Sequence, residues 1–136
     1  MISYVNRMIS DSWTGIFCDE NETSMPTAED IERAVQKLDA KTRTIVSLYG
    51  VDGAYLTIGG GAGQYIVYAS ASDEQLWNLV VDVDENQSGF VLLNAGGQEG
   101  DFPVRQVVAK AHAIQAARTF FRAGELDSSL NWEKGP

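Results

Sequence analysis

Few side chains in this 136-residue sequence are of the types that carry out chemistry. His112 is the only histidine and Cys18 the only cysteine, so the sequence contains neither a zinc-binding pair of histidines nor an H-E-x-x-H motif. No G-x-S-x-G motif is present to activate a serine, and no local motif would activate the thiol of Cys18. A surface or boundary position in a helix explains His112 better than a role as general base. The sequence therefore predicts a protein that is not an enzyme.

Two segments resemble ion-binding or phosphate-binding loops but lack the decisive residues. The segment DVDENQSG begins like a calcium loop, yet Gln87 stands where the turn requires glycine and Leu93 where a bidentate glutamate belongs. The segment GGGAGQ has no lysine and leads into a predicted strand, so no helix N-terminus is available to hold a phosphate. We therefore predict neither a metal ion nor a cofactor.

The charge of the sequence is strongly one-sided. Its formal net charge is -9, and the stretch from Thr44 to Val104 contains eight acidic residues but no lysine or arginine. Such a charge disfavours binding to nucleic acid or to an anionic membrane surface, and it favours a basic protein partner. The competing interpretation is that the acidity only keeps the protein soluble.

The same stretch carries the strongest secondary-structure signals. Turn-forming residues separate five strand-like runs, which are TIVSLY, AYLTIGG, QYIVYAS, QLWNLVVDV and GFVLLN. Because parallel strands need longer crossover connections, these runs predict an antiparallel meander.

Two helices flank the strands in the sequence. The first should begin after the cap Thr27 and end near Ala40. The second is long and should lie between Val108 and Ala123, with Gly124 ending it in the left-handed conformation.

These elements predict an α+β fold in which an antiparallel meander sheet carries an N-terminal helix and a long C-terminal helix on one face. A chain of this length can bury a core without disulfides or metal, so we expect a single domain, residues 1–136. The N-terminal segment lacks the apolar core of a signal peptide, and no run is apolar enough over the length of a membrane span. A single cysteine fits a reducing compartment, so we predict a cytoplasmic location.

The first 25 residues carry the weakest pattern. Ile2 to Val5 and Trp13 to Phe17 are each predicted to form a short strand, with a turn at Asp11-Ser12 between them. The segment from Asp19 to Thr23 is predicted to be an acidic loop.

Alternation along the strands assigns side chains to the two faces of the sheet. The apolar set expected to face the helices is Val46, Leu48, Leu56, Ile58, Trp77, Leu79, Val81 and Val83. The opposite set is polar, aromatic and acidic, and it consists of Ser47, Tyr49, Tyr55, Thr57, Asn78 and Asp82. The run QYIVYAS is apolar at both parities, which is typical of a central strand, and the pattern assigns neither Tyr65 nor Tyr68 to a face.

Between Thr27 and Trp132 the sequence also follows the order of a known family pattern. The residues that carry it are Leu56, Ile58, Gly59, Gly60, Tyr65, Val67, Tyr68, Gly96, Gly97, Gln98, Phe102, Pro103, Ala116, Phe120, Gly124 and Trp132. In this order they resemble the first immunity-protein family of bacterial polymorphic toxin systems, whose members are commonly encoded beside toxins of the deaminase superfamily. The resemblance implies an α+β fold, no enzymatic activity and neutralisation of a cognate toxin by direct binding. It supplies no binding residues.

The acidic and aromatic residues of the chain indicate how it would bind such a toxin. A toxin that acts on nucleic acid needs a basic cleft, and a small acidic protein can occupy that cleft. Aromatic side chains would be the desolvated anchors, with acids around them to guide and orient the toxin. The predicted partner-binding residues are Tyr49, Tyr55, Asp82, Asp84, Glu85, Glu99, Asp101 and Trp132. We expect a monomer before the complex forms.

Other interpretations compete with this one. Ordinary strand propensity would also explain the tyrosines, and a terminal tryptophan such as Trp132 usually covers an edge of the core. The alternative function is a small-molecule-binding domain or minor enzyme with a pocket between the sheet and the C-terminal helix. A subunit of a secretion or assembly apparatus would instead require a self-complementary apolar patch, which the sequence does not indicate.

Overall fold

Strands form most of the regular structure in this protein. A computed structural model describes residues 4–71, 75–81 and 89–135. In chain order the elements are β1 (Val5–Thr14), β2 (Phe17–Ser24), α1 (Ala28–Gln36), β3 (Ile45–Gly50), β4 (Tyr55–Gly61), β5 (Gln64–Ser70), β6 (Leu76–Val80), β7 (Phe90–Ala95), β8 (Gln98–Pro103), α2 (Lys110–Ala123) and β9 (Asn131–Lys134).

A seven-stranded antiparallel sheet is the largest element, with the strand order β2-β1-β3-β4-β5-β6-β9. Helices and an antiparallel sheet occur together, so the predicted α+β class is confirmed. The strands from β3 to β6 are neighbours in chain order, whereas β1, β2 and β9 join the sheet from the two ends of the chain.

The fifth predicted strand, GFVLLN, does not continue this sheet, so that part of the predicted meander is wrong. It corresponds to β7, which pairs with β8 in a two-stranded sheet of its own. Gly96 and Gly97 join the two strands with φ of 76° and 84°, the left-handed backbone of a tight hairpin turn. Because this turn reverses the chain directly after β7, β7 and β8 form a local hairpin. The position beside β6 in the seven-stranded sheet is taken by β9 and not by β7.

In the N-terminal segment the predicted turn and loop are also wrong, whereas most of the predicted strand from Ile2 to Val5 lies outside the described residues. Asp11 and Ser12 lie inside β1 rather than in a turn. The chain turns at Gly15, whose φ is 64°, and β1 and β2 form a long hairpin. The segment from Asp19 to Thr23, predicted as a loop, belongs to β2. Its acidic side chains are accommodated because β2 is an edge strand that is largely exposed to solvent.

The ends of both helices follow from local hydrogen bonds. The Thr27 hydroxyl accepts the N–H of Asp30 at 3.1 Å, and the Asp30 carboxylate accepts the N–H of Thr27 at 2.9 Å, which starts α1. α1 ends at Gln36, earlier than the predicted Ala40. Gly124 follows α2 in the predicted left-handed conformation, with φ of 69°. Within the described residues, no helix is long and apolar enough to cross a membrane.

The main core lies between the two helices and one face of the seven-stranded sheet. The sheet contributes Val46, Leu48, Leu56, Ile58 and Leu79, each at most 1% exposed, on the face that the alternation predicts. The helices contribute Ile31, Val35, Ala113, Ala116, Ala117 and Phe120 to the same cluster. Tyr65 belongs to this core as well, whereas Tyr68 has the opposite parity and is half-buried.

Candidate interaction surface

The other face of the seven-stranded sheet is covered by neither helix, and we call it the open face. Strand register and alternation place on it Arg7, Ile9, Ser47, Tyr49, Tyr55, Thr57, Tyr68 and Asn78. Polar and aromatic groups therefore occupy the side of the strands opposite the core.

Three tyrosines meet at one end of the open face. Tyr49 on β3 pairs with Tyr55 on β4, and the ring of Tyr55 meets that of Tyr68 edge-on, with centroids 6.5 Å apart. The guanidinium carbon of Arg7 lies 4.6 Å from the ring centroid of Tyr49, close enough for a cation to be attracted to the ring face. All three tyrosines are half-buried, so each keeps some surface for a partner. We call Tyr49, Tyr55 and Tyr68 the tyrosine cluster.

Hydroxyl groups beside these rings form a short polar network. The hydroxyl oxygens of Ser47 and Thr57 lie 3.0 Å apart. Burial raises the pKa of Tyr68, a hydrogen bond with Thr57 opposes the rise, and the nearby Tyr55 and Tyr49 add to it. The Tyr68 phenol is therefore neutral at physiological pH and can both donate and accept a hydrogen bond.

A groove of about 260 Å³ also opens on this side of the sheet. Its lining includes the aromatic rings of Tyr49 and Trp13, the carboxylate-bearing Glu20 and the thiol-bearing Cys18. Gly96, in the turn of the β7–β8 hairpin, lines it as well. Such a lining can receive a partner side chain that combines an apolar stem with a positive charge.

Two acids of β2 share the open face. Glu20 pairs with Asp11 and Glu22 with Ile9, both of which have open-face parity. Glu22 Oε1 lies 3.5 Å from Arg7 Nη1, whereas Glu20 forms no ion pair with a described residue. The sequence analysis missed both acids as site residues because it placed them in a loop. The run F-C-D-E-N-E-T lacks the alternation of apolar and polar residues that marks a half-buried strand, so the sequence carried no signal that would have found them.

The β7–β8 hairpin lies against the open face at the opposite end from the tyrosine cluster. A Cβ atom added to Gly59 would come within 2.7 Å of the Ala95 Cβ, and one added to Gly97 within 2.0 Å of the Trp13 ring. These two close approaches therefore require glycine. Leu93, on the same side of the hairpin as Ala95, is 5% exposed. The inner side of the hairpin is thus packed against the sheet.

Asp11 connects this hairpin turn to the sheet. Its carboxylate accepts the backbone N–H groups of Thr44 at 2.7 Å and Ile45 at 3.0 Å, and the indole N–H of Trp13 at 2.7 Å. The Thr44 hydroxyl donates to the same carboxylate. The Thr44 oxygen in turn accepts the N–H of Gly97 at 3.0 Å. Asp11 is 5% exposed, so it supports the site from within rather than meeting a partner.

The outer side of the hairpin points away from the sheet. Alternation and register place Phe90, Leu92, Glu99 and Asp101 on it, and all four are exposed. We call these four residues the outer hairpin face. The side of the protein without helices therefore presents aromatic, aliphatic and acidic groups together.

The sequence model of the family described as immunity protein Imm1 matches residues 19–134. The chain belongs to the Imm1 family of immunity proteins. The match confirms the predicted resemblance, and it supports an immunity function against a cognate toxin. A search of curated proteins finds no significant match to the chain.

In this Imm1 protein the predicted partner-binding residues fall into separate groups. Tyr49 and Tyr55 lie together in the tyrosine cluster, and Glu99 and Asp101 lie together on the outer hairpin face. Both groups are on the side without helices. Trp132 lies on the other face of the sheet, so the structure does not bring it together with them. The remaining predicted residues, Asp82, Asp84 and Glu85, lie outside the described residues.

Trp132 has the contacts of a residue at the edge of the core. It is in register with the buried Leu79, and its indole N–H donates to the carbonyl of Asp127 at 3.0 Å. Hydrogen bonds from Ser129 and Thr119 lower the pKa of Asp127 to about 2, so this carboxylate is ionised at neutral pH. These contacts favour a packing role for Trp132 over a contact with the toxin.

The helix side of the Imm1 protein offers a different surface. α2 packs directly on the sheet, and its buried side chains, each at most 1% exposed, are those of Ala113, Ala116, Ala117 and Phe120. A groove of about 350 Å³ instead lies beside α1, where Arg33, Lys37 and Arg43 contribute positive charge to its lining. Among the described residues, no group of three or more His, Cys, Asp or Glu side chains is placed to hold a metal ion.

Proposed function

We propose that this Imm1 protein binds and neutralises a nucleic-acid-targeting deaminase toxin by covering its basic active-site cleft with the open face. The observation that carries the proposal is the coincidence of half-buried tyrosines and acids on one side of the sheet. Tyr49, Tyr55 and Tyr68 provide the aromatic groups, and Glu20 and Glu99 are among the acids.

The chemistry of the target explains why such a surface would inhibit it. An enzyme that modifies a nucleobase must admit the base into a pocket beside a groove that holds the phosphate backbone. That groove carries lysine and arginine because binding to phosphates depends on them. An acidic protein surface competes for the same cations, and complementary charge speeds encounter and disfavours wrong partners.

The tyrosines would contribute to the affinity as aromatic contacts. Tyrosine combines a large apolar ring with a hydroxyl that can bond a polar rim, and it is enriched among residues that dominate interface energies. The tyrosine cluster is held by strand pairing and ring contacts, so little side-chain freedom remains to be lost on binding.

The remaining parts of the proposal concern the state of the protein before it meets the toxin. We propose a monomeric single domain, residues 1–136, without enzymatic activity or affinity for nucleic acid, located in the cytoplasm. The exposed free thiol of Cys18 supports a reducing compartment.

The test uses the toxin domain encoded by the adjacent gene, in active and catalytically inactive forms. The wild-type chain should bind the inactive form and stop base deamination of single-stranded nucleic acid by the active form. Tyr49→Ala together with Tyr55→Ala should raise the dissociation rate by about 30-fold or more, because two interface anchors are lost. Arg122→Ala, on the exposed side of α2, is the matched control and should leave the rate within about twofold.

Two outcomes would count against the proposal. If the wild-type chain neither bound nor inhibited the toxin, the proposed partner would be wrong. If the chain inhibited the toxin but only the Arg122→Ala variant weakened binding, the helix side would be the interface.

A further inference from the structure

Two large apolar side chains are exposed side by side on the outer hairpin face. Phe90 is 69% exposed and Leu92 is 58% exposed, and they are two residues apart on β7, so they point the same way. Neither side chain packs into the main core. A contiguous exposed apolar patch of this kind commonly marks a contact site for another molecule.

Acids stand directly across the hairpin from this apolar pair. Asp101 on β8 is in register with Leu92, and Glu99 lies two residues away on the same side. No described lysine or arginine forms an ion pair with Glu99 or Asp101, and the segment from Thr44 to Val104 contains no basic residue at all. A partner that covers Phe90 and Leu92 would therefore meet two carboxylates that the described protein does not pair.

The outer hairpin face is held rigidly from behind. Leu93 and Ala95 pack toward the sheet, Gly97 lies against the Trp13 ring, and the Gly97 N–H is bonded to the Thr44 oxygen. A surface that is already fixed in place loses little conformational entropy when a partner binds. The outer hairpin face is therefore better suited to bind a partner than a flexible loop would be.

Another exposed apolar pair provides a comparison. Ile16 is 86% exposed and Phe17 is 74% exposed at the turn between β1 and β2. Phe17 has the parity opposite to Cys18 and Glu20, so it points away from the open face. The outer hairpin face, by contrast, lies on the same side as the tyrosine cluster.

We infer that Phe90 and Leu92 are the apolar anchors of the toxin interface, and that they enter an apolar pocket of the toxin whose rim carries lysine or arginine partners for Glu99 and Asp101. This inference rests on the proposed function and extends it from the tyrosine cluster to the outer hairpin face. Desolvated apolar anchors contribute the affinity, and the two acids select a basic rim over other apolar surfaces.

The decisive experiment measures binding of the catalytically inactive toxin domain from the adjacent gene. Phe90→Ser combined with Leu92→Ser should raise the dissociation constant by about 100-fold, mainly through a faster dissociation rate. Ile16→Ser combined with Phe17→Ser is the matched control, since it removes an equally exposed pair, and it should change the constant by less than about threefold. Thermal unfolding of both variants checks that each one is folded.

A second pair of variants keeps the inference testable if the double serine variant fails to fold. Leu92→Ala and Asp101→Ala each retain the hairpin backbone and should each weaken binding by about tenfold. Asp101→Asn should reproduce the loss of Asp101→Ala, because the charge of the carboxylate is what a cationic rim recognises.

Several outcomes would overturn the inference. Wild-type affinity in the serine variant, or a loss confined to the Ile16 and Phe17 control, would exclude the outer hairpin face while the proposed function stands. A wild-type dimer that the Phe90 and Leu92 substitutions convert to a monomer, with toxin binding unchanged, would assign the patch to a second copy of this chain. Failure of the wild-type chain to bind the toxin would overturn the proposed function and this inference with it.

Discussion

The two faces of the seven-stranded sheet differ sharply although the same strands build both. On the helix side Leu48 and Leu56 are completely buried, and neighbouring strands present aliphatic side chains to α1 and α2. At the positions adjacent to them in the sequence, Tyr49 and Tyr55 are half-buried on the open face. The side chains on the helix side are thus buried in the core, whereas those on the open face keep exposed surface that a partner can contact.

Charge sharpens the contrast between the two sides. Arg33, Lys37 and Arg43 line a groove on the helix side, whereas Glu20 and the acids of the outer hairpin face lie on the other. The helix-side groove also contains Asp30, whose carboxylate lies 3.4 Å from the guanidinium of Arg33, so its charge is mixed, whereas the acids on the other side would attract a basic partner. The comparison therefore predicts that substitutions on the helix side act on stability and that substitutions on the open side act on binding.

Truncation of Phe120 should have the largest effect. Phe120 is completely buried, its ring meets that of Tyr4 with centroids 5.6 Å apart, and Phe120→Ala should lower the free energy of unfolding by about 3 to 5 kcal/mol. Phe90→Ala is the control, and it should change stability by no more than about 0.5 kcal/mol because Phe90 is exposed. Urea unfolding measures both. A Phe120→Ala variant of normal stability that no longer binds the toxin would show that the two faces have the opposite roles.

Loss of the Asp11 carboxylate should have the second largest effect on the free energy of unfolding, and it tests how the β7–β8 hairpin turn is attached to the sheet. Asp11→Ala leaves the N–H groups of Thr44, Ile45 and the Trp13 indole without their acceptor, at a cost of about 2 to 4 kcal/mol. The amide of Gly97 should exchange with solvent faster, because its acceptor is the Thr44 oxygen that Asp11 holds.

Asp11→Asn is the control for that change. The asparagine oxygen can still accept hydrogen bonds, whereas the amide nitrogen cannot. The free energy of unfolding of Asp11→Asn should therefore lie between those of the wild-type chain and Asp11→Ala. Equal stability of all three chains would mean that the hairpin turn is held without this carboxylate.

The orientation of side chains on the central strands could be predicted because only one face of these strands is buried in the core. Val46 and Ile58 face a continuous core, so alternation with a period of two assigns them and, by difference, Tyr49 and Tyr55. The same rule could not place Tyr65 and Tyr68. β5 is covered on both faces, since Ile66 on the open-face parity is 6% exposed, and apolar residues at both parities erase the signal.

The strands that the sequence did not reveal lack this signal for other reasons. β8 reads QEGDFP, without a β-branched residue, and it exists because the turn at Gly96 and Gly97 places it beside β7. Edge strand β2 is almost entirely exposed, so no hydrophobic alternation marks it. The outer hairpin face escaped prediction in part because Phe90 and Leu92 look like ordinary core residues of a strand until the strand is seen to stand outside the sheet.

The smallest expected effect concerns long-range attraction by the acids of the segment from residue 82 to residue 85, which lies outside the described residues. Changing Asp82, Asp84 and Glu85 to lysine should lower the association rate with the toxin by several-fold to about tenfold, since their field extends over about a Debye length, ~8 Å at physiological salt. The dissociation rate should change less, and the dependence of association on salt should flatten. Truncating Tyr49 or Tyr55 should do the reverse, with faster dissociation and unchanged salt dependence. Stopped-flow association at several salt concentrations separates the two cases. If the rate ignored both salt and the triple lysine substitution, the acidity would serve solubility alone, and binding would depend on the apolar and aromatic contacts.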